Sequence, residues 1–336
     1  MLNPDLKLNL KLFDLDVEVK PTRAGYGEGL LALGAKNPNV IALCADLTES
    51  TYNHLFAKMY PDRFFQVGVA EQNMAAIAAG LGISGKIPFM SSYAVFSPGK
   101  NWETIRTTII YNQSNVKIAG HHAGIMTGPD GSTHQATEDI ASIRSWPNIK
   151  ILVPCDSIEG KKATIKAGEI KGPVYLRFTR DKTPIITTPE TPFEIGEIQT
   201  FWTTDNPVVT IFAMGYMLYY ALFAAKELET EKIKTLVVNV STIKPFDEKT
   251  VFSLAKKTRA FVSVEDHQVM GGLGGTIAEF CAKNIPTVME FVGLQNTFAE
   301  SGTPRELIEK YKMGKNHIKA AVKKVMQRKI HLRCSD

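Results

Sequence analysis

Apolar and polar positions along this chain switch between two periods, and the switches mark out its elements. Short apolar runs at 40–45, 64–68, 116–121, 149–154 and 173–178 read as strands and 87–93 as an extended stretch, and stretches with helical spacing at 23–35, 71–81, 101–110, 137–145 and 157–170 lie between them. That alternation predicts βαβ units and a mainly parallel sheet covered by helices on both faces. After residues 181–198, a linker-like stretch holding Pro184, Pro189, Pro192 and several threonines, the alternation resumes. Strands are expected at 208–212, 235–240, 260–265 and 287–292, with helices at 216–231, 247–257, 275–283 and from Pro304 onward. The fold class is therefore α/β in two domains, 21–191 and 192–336. No repeat of about 20–50 residues suggests a solenoid.

The first twenty residues differ in character. LKLNLKL and FDLDVEVK alternate apolar and polar with a slip at Phe13, which predicts an extended N-terminal arm over 1–20. Two readings stand: a loose solvated arm, or one lying along a partner subunit. Asp5, Lys7, Lys11, Asp14 and Asp16 interrupt any apolar core there, so no secretory signal is expected. Val208–Ala225 runs 18 residues without a charge, the lower edge of a membrane-spanning length. A strand, the turn AMG and a helix continuing past Ala225 account for it better.

A length of 336 residues suits two domains at about 100 to 200 residues each. The net charge of +5 comes without a block of like charges, which argues against nucleic acid and leaves a small anionic substrate open. Cys44, Cys155, Cys281 and Cys334 are too dispersed for a CxxC pair or a disulfide framework, so reduced thiols in a cytoplasmic protein are expected.

Two segments in the first half carry most of the chemistry. In QVGVAEQNMAAIAAGLG, Met74, Ile77, Ala78 and Leu81 form one apolar helix face, with Glu71 at the N-terminal end. Spacing alone permits Glu71 to do no more than complement the helix dipole. The Gly-rich segment GHHAGIMTGPDGSTHQATED gathers His121, His122, Asp130, His134, Glu138 and Asp139 between a strand and a helix, where open α/β sheets bind ligands. Its ligating residues lack a diagnostic metal spacing, and no GxSxG or cysteine nucleophile is evident. GGLGG at 271–275 lacks both GxGxxG and the Walker lysine, so a tight turn at a helix start is expected there.

Together, GVAEQNM, ADLTES, GPDGSTHQATEDI, PNIKILVPCD and EDHQVMGGLGG resemble the carboxyl-terminal section of transketolases, in matching order over about residues 20–325. The resemblance implies a thiamine diphosphate-binding pyrimidine domain followed by the family's C-terminal domain. It implies that Glu71 hydrogen-bonds N1′ of the aminopyrimidine and promotes the imino tautomer that deprotonates thiazolium C2. Tyr93 and Phe96 in SSYAVF match the aromatic pair around the pyrimidine, and Asp46 and Leu47 match residues beside the cofactor at the subunit contact. His122, Asp130 and His134 match residues contacting the sugar, with His134 also expected among the catalytic groups. Arg23, Ser50 and Arg180 match those that hold its phosphate, a task suited to guanidinium forks.

Members of the family hold the diphosphate and a divalent ion, Mg or Ca, with Gly-Asp-Gly and a downstream Asn on a preceding domain. No Gly-Asp-Gly occurs in this sequence. The resemblance therefore implies half an active site, completed by an N-terminal transketolase subunit in an α2β2 assembly with homodimer contacts. The implied reaction moves a two-carbon ketol unit between sugar phosphates. Alternatives within the superfamily are a 1-deoxyxylulose-5-phosphate synthase-like chain and a 2-oxoacid dehydrogenase β-like subunit; a noncatalytic structural paralogue is a third.

Overall fold

The computed structural model describes residues 1–333 of the chain, with side chains through Ile330, so Cys334 lies outside the described residues. Two sheets organise it. The first has strand order Thr242–Lys244, Lys150–Leu152, Val174–Arg177, Lys117–His121, Ile87–Tyr93, Val40–Cys44, Phe64–Gln66, all parallel except the first. The second runs Val288–Leu294, Ala260–Gln268, Val209–Ala213, Thr235–Asn239, Gln199–Trp202, parallel except for the last. Helices cover the sheets, as the all-buried strands Val40–Cys44, Lys117–His121 and Val209–Ala213 require. The α/β class is thus observed in both halves.

Three local pairings were not predicted. Thr242–Lys244 follows the second half's strand Thr235–Asn239 in sequence yet joins the edge of the first sheet, antiparallel to Lys150–Leu152. The two halves share a sheet at that edge. Val19–Pro21 pairs antiparallel with Lys182–Pro184, and Gln199–Trp202 adds an antiparallel edge to the second sheet. The linker-like stretch is also pinned: buried Asp156 accepts from the backbone N–H groups of Ile186 and Thr187 at 2.8 and 2.6 Å.

The extended N-terminal arm is corrected. Residues 4–6 form a 3₁₀ turn behind the Asn3 cap, residues 10–16 turn again, and the segment lies against its own chain. Asn3 N donates to Phe201 O and Asn9 N to Ile186 O, both at 2.9 Å. Leu8 and Leu12 are buried in the apolar cluster of the second half, while Phe13 meets Trp202 and Phe223 edge-on. Burying those residues outweighs the period-two pattern. The uncharged stretch at 208–225 resolves into the strand Val209–Ala213 and the helix Met217–Thr230, and among the described residues no helix is long and apolar enough to cross a membrane.

Candidate active site

The carboxyl ends of the parallel strands in the first sheet carry most of the residues singled out from sequence. Asp46 and Leu47 follow Val40–Cys44, Tyr93 ends Ile87–Tyr93, His122 follows Lys117–His121, and Arg180 lies just beyond Val174–Arg177. Loops at this edge of an open α/β sheet are its natural ligand site. Glu71 opens the helix Glu71–Ile83 and is 1% exposed.

Burying a carboxylate requires compensating partners. Lys100 supplies one, its Nζ donating to Glu71 Oε2 at 2.8 Å, while Asn101 Nδ2 donates to the Glu71 carbonyl at 3.0 Å. Lys100 ends the π-helical stretch Val95–Lys100 and Asn101 caps it, and sequence reasoning missed both. Their signal was slight: PGKN follows the aromatic pair, but a lone lysine in a glycine turn reads as solvated surface.

An aromatic group stands at the same edge. Tyr93 stacks on His122 at 3.7 Å between centroids and lies parallel to Phe96 at 6.0 Å, while His134 meets Phe96 edge-on at 5.5 Å. His122 is buried with φ 55°, and its Nδ1 has no hydrogen-bond partner among the described residues. Burial, then Arg23, His121, Arg180 and His134, push its pKa down to about 2, so the ring is neutral at ordinary pH. A neutral imidazole can both donate and accept, as binding a sugar hydroxyl or carbonyl demands.

Charged residues form a second group. Arg180 Nη1 donates to Thr127 O at 2.6 Å and to Asp130 Oδ1 at 3.0 Å, and Thr127 Oγ1 donates to the His122 carbonyl at 2.6 Å. Arg23 donates through Nε to Arg180 O at 3.0 Å and through Nη1 to Ser50 O, with its guanidinium over the Tyr52 ring. Ser50 therefore meets Arg23 through its backbone carbonyl. Asp46, at φ 61°, donates its N–H to Gln66 Oε1 at 2.6 Å, and Gln66 Nε2 donates to Thr48.

In the motif EDHQVMGGLGG, Glu265, Asp266 and His267 are buried. Glu265 accepts from Leu273 N and Gly274 N at 2.7 and 2.9 Å, filling the N-terminus of helix Leu273–Asn284 with its own carboxyl group. The expected tight turn is present, with Gly271 at φ 78°. Burial holds the Glu265 carboxyl up at about 8. His267 Nε2 accepts from Ala141 N at 3.3 Å, and burial lowers its pKa to about 4.

The residues present fit an aminopyrimidine. A buried carboxylate at a helix start, an aromatic wall and the unpartnered Nδ1 of buried His122 are what a flat, polar-edged heterocycle would engage. Among the described residues no group of three or more His, Cys, Asp or Glu is placed to hold a metal ion.

Comparison with known proteins agrees in both halves. Residues 19–185 match the transketolase pyrimidine binding domain and residues 202–318 the transketolase C-terminal domain. A Methanocaldococcus jannaschii protein named for the C-terminal section of transketolase is 43% identical over 87% of this chain and 92% of its own length. The 6-deoxy-6-sulfo-D-fructose transketolase subunit SqwH of Clostridium sp. is 35% identical over 94% and 98%. A solved split gene transketolase in an inactive beta4 tetramer superposes with TM-score 0.85 at 43% identity, covering 91% of this chain and 98% of that one. The chain spans about half the length of the mammalian transketolase relatives it matches.

Proposed function

We propose, from the premise that this chain belongs to the transketolase family, that it is the pyrimidine-activating subunit of a two-chain transketolase. The observation that carries this is the buried Glu71 at a helix N-terminus on the same sheet edge as the Tyr93, Phe96, His122 and His134 rings. Thiamine diphosphate bound here would supply the electron sink that lets a carbon–carbon bond beside a ketose carbonyl break. Glu71 holds a proton at N1′ of the aminopyrimidine, and Tyr93 and Phe96 wall the ring from water. Asp46 and Leu47 lie beside the cofactor at the subunit contact. Neutral His122, with His134 and Asp130, orients the sugar, His134 serving also in proton transfer. Arg23 and Arg180 grip the substrate phosphate beside Ser50.

The diphosphate and its Mg or Ca ion belong to an N-terminal partner subunit bearing Gly-Asp-Gly, in an α2β2 assembly working in the cytoplasm. A relative's beta4 tetramer being inactive supports the need for that second chain. A sulfonated ketose is a second reading of the substrate, favoured by the likeness to SqwH. Sulfonate and phosphate offer the same tripod of anionic oxygens to the two arginines. Mixing this chain with a Gly-Asp-Gly partner, thiamine diphosphate and Mg should give ketol transfer from xylulose 5-phosphate to ribose 5-phosphate. Activity from this chain alone would overturn the half-site reading.

A further inference from the structure

We infer that Asp266, from the second half of the chain, is a positioning residue for the loop bearing His122, Asp130 and His134. Its carboxyl group is buried, and Oδ1 accepts from Ile125 N at 2.9 Å. The residue before Ile125 is Gly124 at φ 76°, where a Cβ would stand 1.9 Å from Asp266 Oδ2. Glycine is therefore required twice, for conformation and for close approach.

The contact is the centre of a longer seam. Arg177 Nη2 donates to Asp266 O at 2.9 Å and to Ala136 O at 3.2 Å, joining the base of the loop to the Asp266 backbone. Gln268 N donates to Thr137 O at 2.7 Å, and Gln135 Nε2 to Glu300 O at 3.1 Å. Gly128 backs onto Gly302 and Pro304, and Gly131 onto Ser301. The loop is thus backed on one side by the second half of the chain, while the sheet of the first half supplies its ends and Arg180 ties Thr127 and Asp130 to it. This gives the second half of the chain a task in shaping a loop that belongs to the first.

The inference rests on the proposed function only in taking this loop as the sugar-binding one. Hydrogen exchange tests it without turnover: Asp266→Ala should speed exchange of peptides within 122–138 about tenfold or more, leaving 87–93 unchanged. Asp266→Asn, which keeps an acceptor for Ile125 N, should restore much of the protection. In the two-chain complex Asp266→Ala should lower kcat/KM for the sugar phosphate on the order of ten- to a hundredfold with thiamine diphosphate affinity retained. Gly124→Ala, made from the loop side, should reproduce the effect if Asp266→Ala fails to fold. Unchanged exchange across the loop in a folded Asp266→Ala or Gly124→Ala protein would overturn the inference, as would equal losses of sugar and cofactor binding. A wild-type complex with no ketol transfer would sink the proposed function and leave the exchange test standing.

Discussion

Lys100 holds Glu71 by an ion pair in which the carboxylate is buried and the ammonium is half exposed, with 2.8 Å between Nζ and Oε2. The carboxylate proposed to reach the cofactor therefore already has one oxygen engaged by a cation at the end of the π-helical stretch Val95–Lys100. Lys100 engages Oε2 alone, so Oε1 keeps its acceptor capacity for an aminopyrimidine while the lysine holds the carboxylate in place.

A double-mutant cycle with Lys100→Met and Glu71→Gln should give a coupling of about 1 kcal/mol in urea denaturation, reduced in 1 M salt about as a half-exposed pair allows. Zero coupling at low salt would mean that the pair contributes nothing to the fold.

The buried pair Asp139–Arg177 should behave differently. Arg177 Nε lies 2.8 Å from Asp139 Oδ2, which also accepts from Tyr175 OH at 2.7 Å, and both charged side chains are almost wholly buried. Arg177→Met leaves the carboxylate uncompensated, so about 3–5 kcal/mol of stability should be lost in chemical denaturation. A loss under about 1 kcal/mol would show the pair to be dispensable.

Tyr93→Leu removes the ring stacked on His122. Calorimetric titration of the two-chain complex with thiamine diphosphate should show affinity weakened about tenfold, as expected for losing one aromatic platform. Unaltered affinity would place the pyrimidine elsewhere.

His267 gives a pH signature. Its pKa falls from an unfolded value near 6.5 to about 4 through burial, so between those values the unfolded chain binds the extra proton and acid favours unfolding. Compared with His267→Gln, the wild type should lose about 3 kcal/mol of relative stability as pH falls from 6.5 to 4, with no relative change above 7. Parallel stability curves for the two proteins would contradict a neutral buried imidazole.

Much of this was legible in sequence because strands buried on both faces announce themselves as short apolar runs. VIALCA and IPFMSSY are examples. What escaped were features decided at long range. Thr242–Lys244 joins the other half's sheet through contacts that its own three residues cannot encode. The N-terminal arm was misread because Leu8 and Leu12 answer to an apolar cluster some two hundred residues away in sequence, near Phe201 and Trp202. Within the site, the motifs located the loop and Glu71, whereas Lys100 and Asp266 emerged only once the fold had brought turn, helix and second sheet together.

The proposed function stands on the Glu71 carboxyl group activating the cofactor ring. The direct measurement is steady-state ketol transfer by the two-chain complex carrying Glu71→Gln, with assembly checked by sedimentation. An intact complex is expected, with turnover down about a hundredfold or more, the scale of losing a positioned proton-transfer group. Turnover within about twofold of the unsubstituted enzyme would contradict that role of Glu71.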